Sequence, residues 1–436
     1  MASSSLPSFA PISTYAINLK ERTDRFIHIK SQFIDKPEFN LQVIEGIRHE
    51  SGYMGIWQTI IDIIELAQQR NEEFILICED DHEFTADYKK QVLFDSIADA
   101  WSLQADIICG GICALRSAIP VSNSLYWTET FSCFQFTILF NRFFSKIQNC
   151  EFRKGMVNDH TISDLSTNKY FIYPFISRQR EFGYSDATQG NEREGRISKA
   201  FDRSSDTARC LIETLEHYRR TPADAPLQFE DIILPTYIIN LPERKDRREH
   251  IIRQFNGKKE FDVTIIEACR NNIGAVGLWL SIRKIIEKAI DNDDDLVIIC
   301  EDDHEFTDHY TPNKLLKNII ESHIQGADLL SGGIGGGFTH ALRISSERFW
   351  INHFFCTQFI VIYKKFYQKI LDEPFDLSVT ADNLLSELTS NKMVLFPFIS
   401  IQRDFGYSDV TDGHNVTPGL ITSRFKGGED RLSLQN

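Results

Sequence analysis

The 436-residue chain lacks any apolar run of the roughly 18 to 20 residues that a bilayer span requires; its longest candidate, Phe354 to Tyr363, is broken by polar residues and ends at Lys364. No membrane-crossing helix is expected. The opening MASSSLPSFAPIS has neither the basic segment nor the apolar block of a secretion signal. Residues 1–13 therefore read as a loose leader, and a cytoplasmic address is expected. The nine cysteines include no CxxC pair, and Cys78 and Cys300 sit in apolar runs where a thiol acts as a small buried hydrophobe. Neither a disulfide framework nor a zinc site is expected. Basic charge is also short, with 47 Lys+Arg against 62 Asp+Glu and a net charge of −15, so most of the surface repels a phosphate backbone and nucleic acid is not an expected partner. No GxGxxG or P-loop follows the first strand-like run, which removes support for dehydrogenase and kinase readings.

What is present is a globular composition, with 42% hydrophobic and 25% charged residues, in a chain long enough for more than one core. The chain also contains itself twice. YAINLKERTDR at Tyr15 to Arg25 returns as YIINLPERKDR at Tyr237 to Arg247, an offset of 222 that also carries ICEDDHEF from Ile77 onto Ile299. Later blocks shift by one residue: CFQF at Cys133 matches CTQF at Cys356, and PFISRQREFGYSD at Pro174 matches PFISIQRDFGYSD at Pro397. Solenoid repeats run about 20–50 residues, so this period means a duplicated domain. The expected organisation is a first domain over 14–200, a linker with a possible short helix over 201–235, where TPADAPLQ marks the break, and a second domain over 236–436.

Each copy alternates strand-like and helix-like segments. Ile56, Ile60, Ile63, Ile64 and Ala67 fall on one helical stripe, and Leu278, Ile282, Ile285, Ile286 and Ala289 repeat the spacing. Glu73 to Cys78 and Asp295 to Cys300 are short apolar runs that predict strands buried on both faces. This alternation predicts an α/β sheet with helices packed on it.

The chemistry gathers where these strands end. Glu79, Asp80 and Asp81 follow the buried strand directly, and their copy is Glu301, Asp302 and Asp303. Three adjacent carboxylates repel one another unless something positive sits among them. A hard divalent cation with oxygen ligands, Mn²⁺ or Mg²⁺, would do so and leave positions open for a diphosphate; helix capping is the other reading. Asn18, Arg22 and Arg25, repeated as Asn240, Arg244 and Arg247, leave another strand end, and two arginines three apart can fork onto phosphate or onto a base and ribose; a solvated helix start with an Asp cap is the other reading. Asp159 and Asp382 align in loops before helix-like stretches, as candidate bases or as helix caps. Asp186 and Asp409 are further ligand or turn candidates, Gln135 and Gln358 sugar-binding or backbone-satisfied ones, and His82 and His304 packing residues. Gly110-Gly111 and Gly332-Gly333 suggest backbone held close to a ligand.

In their order, the xINLxxRxDR block, the GxxG block opening a helix, the EDD after an apolar strand and the late PFISxQ…SD block resemble glycosyltransferase family 25, which includes lipopolysaccharide-biosynthesis and collagen-modifying enzymes. The copies depart from that pattern in reading GYMGIWQTI and GAVGLWLSI where members often carry Cys and Ser-His. The resemblance implies two tandem GT-A-like domains, a nucleotide-sugar donor such as a UDP-sugar, and a divalent metal. Residue by residue it implies Asp81 and Asp303 on the metal, with Asn18, Arg22, Arg25, Asp80, Asn240, Arg244, Arg247 and Asp302 on the nucleotide side. The expected activity is hexosyl transfer to a hydroxyl of a glycan, lipid-linked or peptide acceptor, with Asp159 and Asp382 as bases. Two other classes compete: a duplicated carbohydrate-binding scaffold and a metal-dependent phosphoryl-transfer enzyme.

Overall fold

The computed structural model describes residues 11–184, 194–221, 232–374, 380–407, 417 and 419–435. Asp186 and Asp409 lie outside them. The chain divides into two compact units, Met1–Ile212 and Glu213–Asn436.

In the first unit the strands are β1 (Ile12–Asn18), β2 (Phe39–Glu45), β3 (Phe74–Glu79), β4 (His82–Phe84), β5 (Ile107–Cys109), β6 (Ile119–Pro120), β7 (Leu125–Trp127), β8 (Phe136–Phe140), β9 (Lys169–Ile172) and β10 (Ser177–Gln179). Eight of them form one mixed sheet in the order β2-β1-β3-β8-β5-β9-β7-β6, while β4 and β10 make a separate two-stranded ladder. The second unit repeats both sheets in the same order with β11 (Leu234–Asn240), β12 (Phe261–Glu267), β13 (Leu296–Glu301), β14 (His304–Phe306), β15 (Leu329–Ser331), β16 (Ala341–Ser345), β17 (Arg348–Ile351), β18 (Phe359–Tyr363), β19 (Lys392–Leu395) and β20 (Ser400–Gln402).

Sequence chemistry accounts for these placements. β3, FILICE, and β13, LVIICE, are central and their four inner residues are buried, as continuous apolar runs of β-formers require. The helices α1 (Thr23–Gln32), α2 (Gly52–Gln69), α3 (Lys90–Ser102), α4 (Asn141–Gln148) and α5 (Asn158–Asp164) flank the first sheet, and α2 buries Trp57, Ile60, Ile63, Ile64 and Ala67. Gly55 lies where α2 crosses the loop after β2: a Cβ there would stand 2.1 Å from the Ile47 carbonyl oxygen, and at the counterpart Gly277 it would stand 2.5 Å from that of Cys269. The second glycine of each GxxG block is thus required by backbone packing.

The division between units falls inside α6 (Arg196–Arg220), a helix of 25 residues, longer than the short one expected from Asp206. The second unit has α7 (Lys245–Phe255), α8 (Gly274–Asp291), α9 (Pro312–Ile324), α10 (Lys364–Asp372), α11 (Ala381–Leu388) and α12 (Leu420–Ser433). Phe425 on α12 meets Phe398 edge-on, as Phe201 on α6 meets Phe175. This element recurs although its sequence has diverged.

Two expectations fail here. Gly111 is close to protein backbone and not to a ligand surface: a Cβ would lie 2.1 Å from the Ser177 carbonyl oxygen, and at Gly333 it would lie 2.0 Å from that of Ser400. Cys113 and Cys133 form a disulfide, which the absence of a CxxC pattern had argued against. A bridge between Cys113 and Ser132 brings the two segments together, a tertiary pairing that spacing does not reveal. Closing a loop of 20 residues removes about 3 kcal/mol of unfolded-state freedom. Cys113→Ala should therefore lower the stability of the first unit by roughly that amount. Urea unfolding followed by peptide-resolved hydrogen exchange on the full chain will measure it. The second unit carries Gly335 opposite Cys356 and should not respond to reductant.

Candidate functional site

Parallel pairing places the motifs together. β1 runs parallel to β2 and β3, with Asn18 opposite Glu45 and Ile17 opposite Glu79. All three strands end on one edge, so the arginine loop after β1 meets the acidic turn after β3. β11, β12 and β13 reproduce this, with Asn240 opposite Glu267 and Ile239 opposite Glu301.

The group among the carboxylates is a guanidinium. Asp80, 4% exposed, accepts from Asn18 Nδ2 at 3.0 Å and Arg25 Nη1 at 3.1 Å, with Arg22 Nη1 3.6 Å away; Arg25 also lies 3.7 Å from Asp81. In the second unit Asp302 accepts from Asn240 at 2.9 Å and Arg247 at 3.2 Å, Arg244 lies 3.8 Å away, and Arg247 reaches Asp303 at 3.0 Å. The arginines expected on the nucleotide side are thus committed in part to the acids. Each inner arginine is also enclosed by the late sequence block. Arg25 donates to the Tyr184 carbonyl at 2.6 Å and lies 4.7 and 4.4 Å from the Phe182 and Tyr184 ring centres. Arg247 donates to Tyr407 at 2.7 Å and stacks on Phe405 and Tyr407. Sequence reasoning missed these aromatics; their recurrence in FGYSD was the available signal.

The β4–β10 ladder clamps the acidic turn. Arg180 N–H donates to the Asp81 carbonyl at 2.8 Å, and Gln179 Nε2 lies 3.1 Å from Glu79 and 3.5 Å from Asp81. Gln402 donates to Asp303 at 2.9 Å, while Thr357 donates to Glu301 at 2.6 Å. Burial, then the neighbouring Asp80 charge, pushes the Asp81 carboxyl up to about 7. Burial and Asp302 push Asp303 to about 6. Glu79 is raised well above its ordinary value and Glu301 to about 8, again by burial first and the adjoining Asp81 or Asp303 second.

His82 is fully buried, its Nδ1 2.8 Å from Ser177 Oγ and its ring among Phe33, Phe84 and Phe136; His304 pairs with Ser400 in the same way. Gln135 and Gln358 are buried and donate to the Gly111 and Gly333 carbonyls at 3.0 and 2.8 Å, a backbone role. Asp159 Oδ2 accepts the Cys133 N–H at 2.7 Å and Oδ1 the His160 N–H at 2.8 Å; Asp382 bonds the N–H groups of Cys356 and Asn383, both at 2.9 Å. Both aspartates pin a loop in which Cys133 and Cys356 hold φ of 81° and 79°.

The first unit holds a cavity of about 670 Å³. Its wall includes Arg22, Arg25, the acidic triplet, Asp159 and the first turn of α2 at Gly52 and Tyr53.

No protein-family model and no curated protein matches the chain. Among solved structures it is similar to an apo UDP-glucose pyrophosphorylase (12% identity, 46% of this chain and 81% of that one, TM-score 0.26). It is also similar to the mannosyltransferase PcManGT from Pyrobaculum calidifontis in complex with GDP-Man and Mn²⁺ (10% identity, 44% and 62%, TM-score 0.23). A third is the apo WbbM bifunctional glycosyltransferase (8% identity, 96% and 99%, TM-score 0.24). With likeness this distant, function has to be argued from the cavity itself.

A cation can be tested against that cavity. Asp81 Oδ1 and Asp303 Oδ1 are buried and have no hydrogen-bond partner. One hard oxygen donor per unit is therefore open. Among the described residues no group of three His, Cys, Asp or Glu is arranged to hold a metal, so water and ligand oxygens would have to complete the shell. No helix among the described residues is long and apolar enough to cross a membrane.

Proposed function

We propose that this chain is a tandem GT-A-like glycosyltransferase of the family 25 type, using a nucleotide-sugar donor with Mn²⁺ or Mg²⁺ held at Asp81 and Asp303. The observation that carries the reading is the cavity in which a buried acidic turn, its orphan carboxylate oxygen and two arginines meet at the ends of parallel strands. A bound divalent cation would supply charge neutralisation for the departing diphosphate. The chain's own part is to bind and orient. Arg22, Arg25 and the first turn of α2, at the positive end of its helix dipole, provide an electropositive side for the diphosphate. Asn18 and Arg25 hold Asp80 so that the turn presents Asp81. Asp159 holds the opposite loop by two N–H bonds. A UDP-sugar donor and a glycan, lipid-linked or peptide hydroxyl as acceptor complete the proposal.

Calorimetry of the full chain with UDP, with and without Mn²⁺, tests it. Wild type should bind UDP in a Mn²⁺-dependent manner. Asp81→Asn/Asp303→Asn should bind about tenfold more weakly or worse, the loss of roughly 1.4 kcal/mol or more. Transfer from a panel of nucleotide-sugars should disappear with it. Mn²⁺-dependent UDP binding unchanged in the double variant would remove the assignment.

A further inference from the structure

His160 follows Asp159 in the first turn of α5, is exposed, and lines the cavity. Its Nε2 lies 3.1 Å from Ser132 Oγ, also on the cavity wall. Its neighbour Asp159 has both carboxylate oxygens on backbone N–H groups, and Asp382 accepts the matching bonds in the second unit, so the acid expected to serve as base is engaged in holding the loop. The cavity's other imidazole, His49, accepts the Ser51 N–H at 3.0 Å. Asn271 makes the same loop-closing bond to the Ile273 N–H at 2.9 Å in the second unit, so an amide can replace that histidine. Position 160 differs. Its counterpart Asn383 turns its amide onto Thr380 Oγ1 at 2.8 Å, and Ser132 is replaced by Phe355. His353, the imidazole near Asn383, comes from a position where the first unit has Thr130, and burial lowers its proton affinity.

We propose that His160 is the proton acceptor of the first unit, taking the acceptor hydroxyl proton while Ser132 fixes its ring, and that the second unit does not use this step. The inference rests on the transferase reading above. The acceptor oxygen bonds to the anomeric carbon as the bond from that carbon to the diphosphate oxygen breaks, its electron pair leaving with the diphosphate. With Nε2–H assigned as donor to Ser132 Oγ, Nδ1 holds the lone pair that takes the hydroxyl proton. Neutral imidazole is suited to this near pH 7. Besides Asp159 and the acid–arginine cluster, the charged or titratable groups on the same wall are Arg48, His49, Glu50, Tyr53 and Arg196.

The test uses the full chain carrying Asp303→Asn, which silences the second unit, as parent. Adding His160→Asn should lower kcat about 100-fold, leave the donor KM unchanged and remove the acid limb of the kcat–pH profile. His49→Asn should keep that limb. The native occurrence of Asn at position 383 argues that His160→Asn folds, and His160→Gln provides a second variant. An active parent matched by both His160 variants in rate and pH profile overturns this assignment alone. A parent that turns over no nucleotide-sugar overturns it together with the transferase reading.

Discussion

Replacing Arg25 with Met should destabilise the first unit by about 3–5 kcal/mol, the cost of leaving buried carboxylates without their counter-charge. Asp80 is 4% exposed and receives Arg25 at 3.1 Å, and Asp81 lies 3.7 Å from the same guanidinium. Removing the cation leaves three acids with the partial compensation of Asn18, Arg22 and Gln179. Arg247→Met should do the same in the second unit, where both acids lie within 3.2 Å of the guanidinium. Peptide-resolved hydrogen exchange in urea on the full chain will assign each loss to its unit. Adding Asp80→Asn to Arg25→Met should recover part of the loss, because the uncompensated charge is then gone. A purely packing role for Arg25 predicts no recovery.

Stability without ligand should fall as pH rises from about 5 to 8, opposite to the usual behaviour of paired carboxylates. The carboxyl of Asp81 is raised to about 7, that of Asp303 to about 6 and that of Glu301 to about 8, all above their unfolded values. The native state therefore holds more protons than the unfolded one through this window. The stabilisation is complete below the unfolded values and is lost as pH passes the folded ones. At about 1.4 kcal/mol per pK unit, each group taken alone loses a few kcal/mol of stabilisation. Thermal melts across this range should show Tm declining, and Asp81→Asn/Asp303→Asn should flatten the decline. Mn²⁺ with UDP should restore Tm most at the alkaline end, since a cation binds the deprotonated carboxylates. A Tm that rises through this window would show that these acids titrate normally.

Local pattern alone was enough to reveal the duplication, the buried runs at β3 and β13 and the apolar stripes of α2 and α8. Each depends on residue order and on a periodicity of two or 3.6, which short segments carry in themselves. It also marked the acidic triplet and the arginine loop as a pair, through their joint recurrence. What answers the charge of that triplet was not readable from order, because it depends on distance across the sheet. Only the parallel register of Ile17 with Glu79 brings Arg25 from the end of β1 into the acidic turn and makes a guanidinium, with Asn18, the partner of Asp80. Tertiary placement likewise turned Gly111 from a ligand contact into a backbone crossing, joined Cys113 to Cys133, and set Tyr184 over Arg25 from 159 residues away. Such contacts join segments whose local sequences carry no record of one another, so they are decided by how strand register and helix packing close the chain on itself.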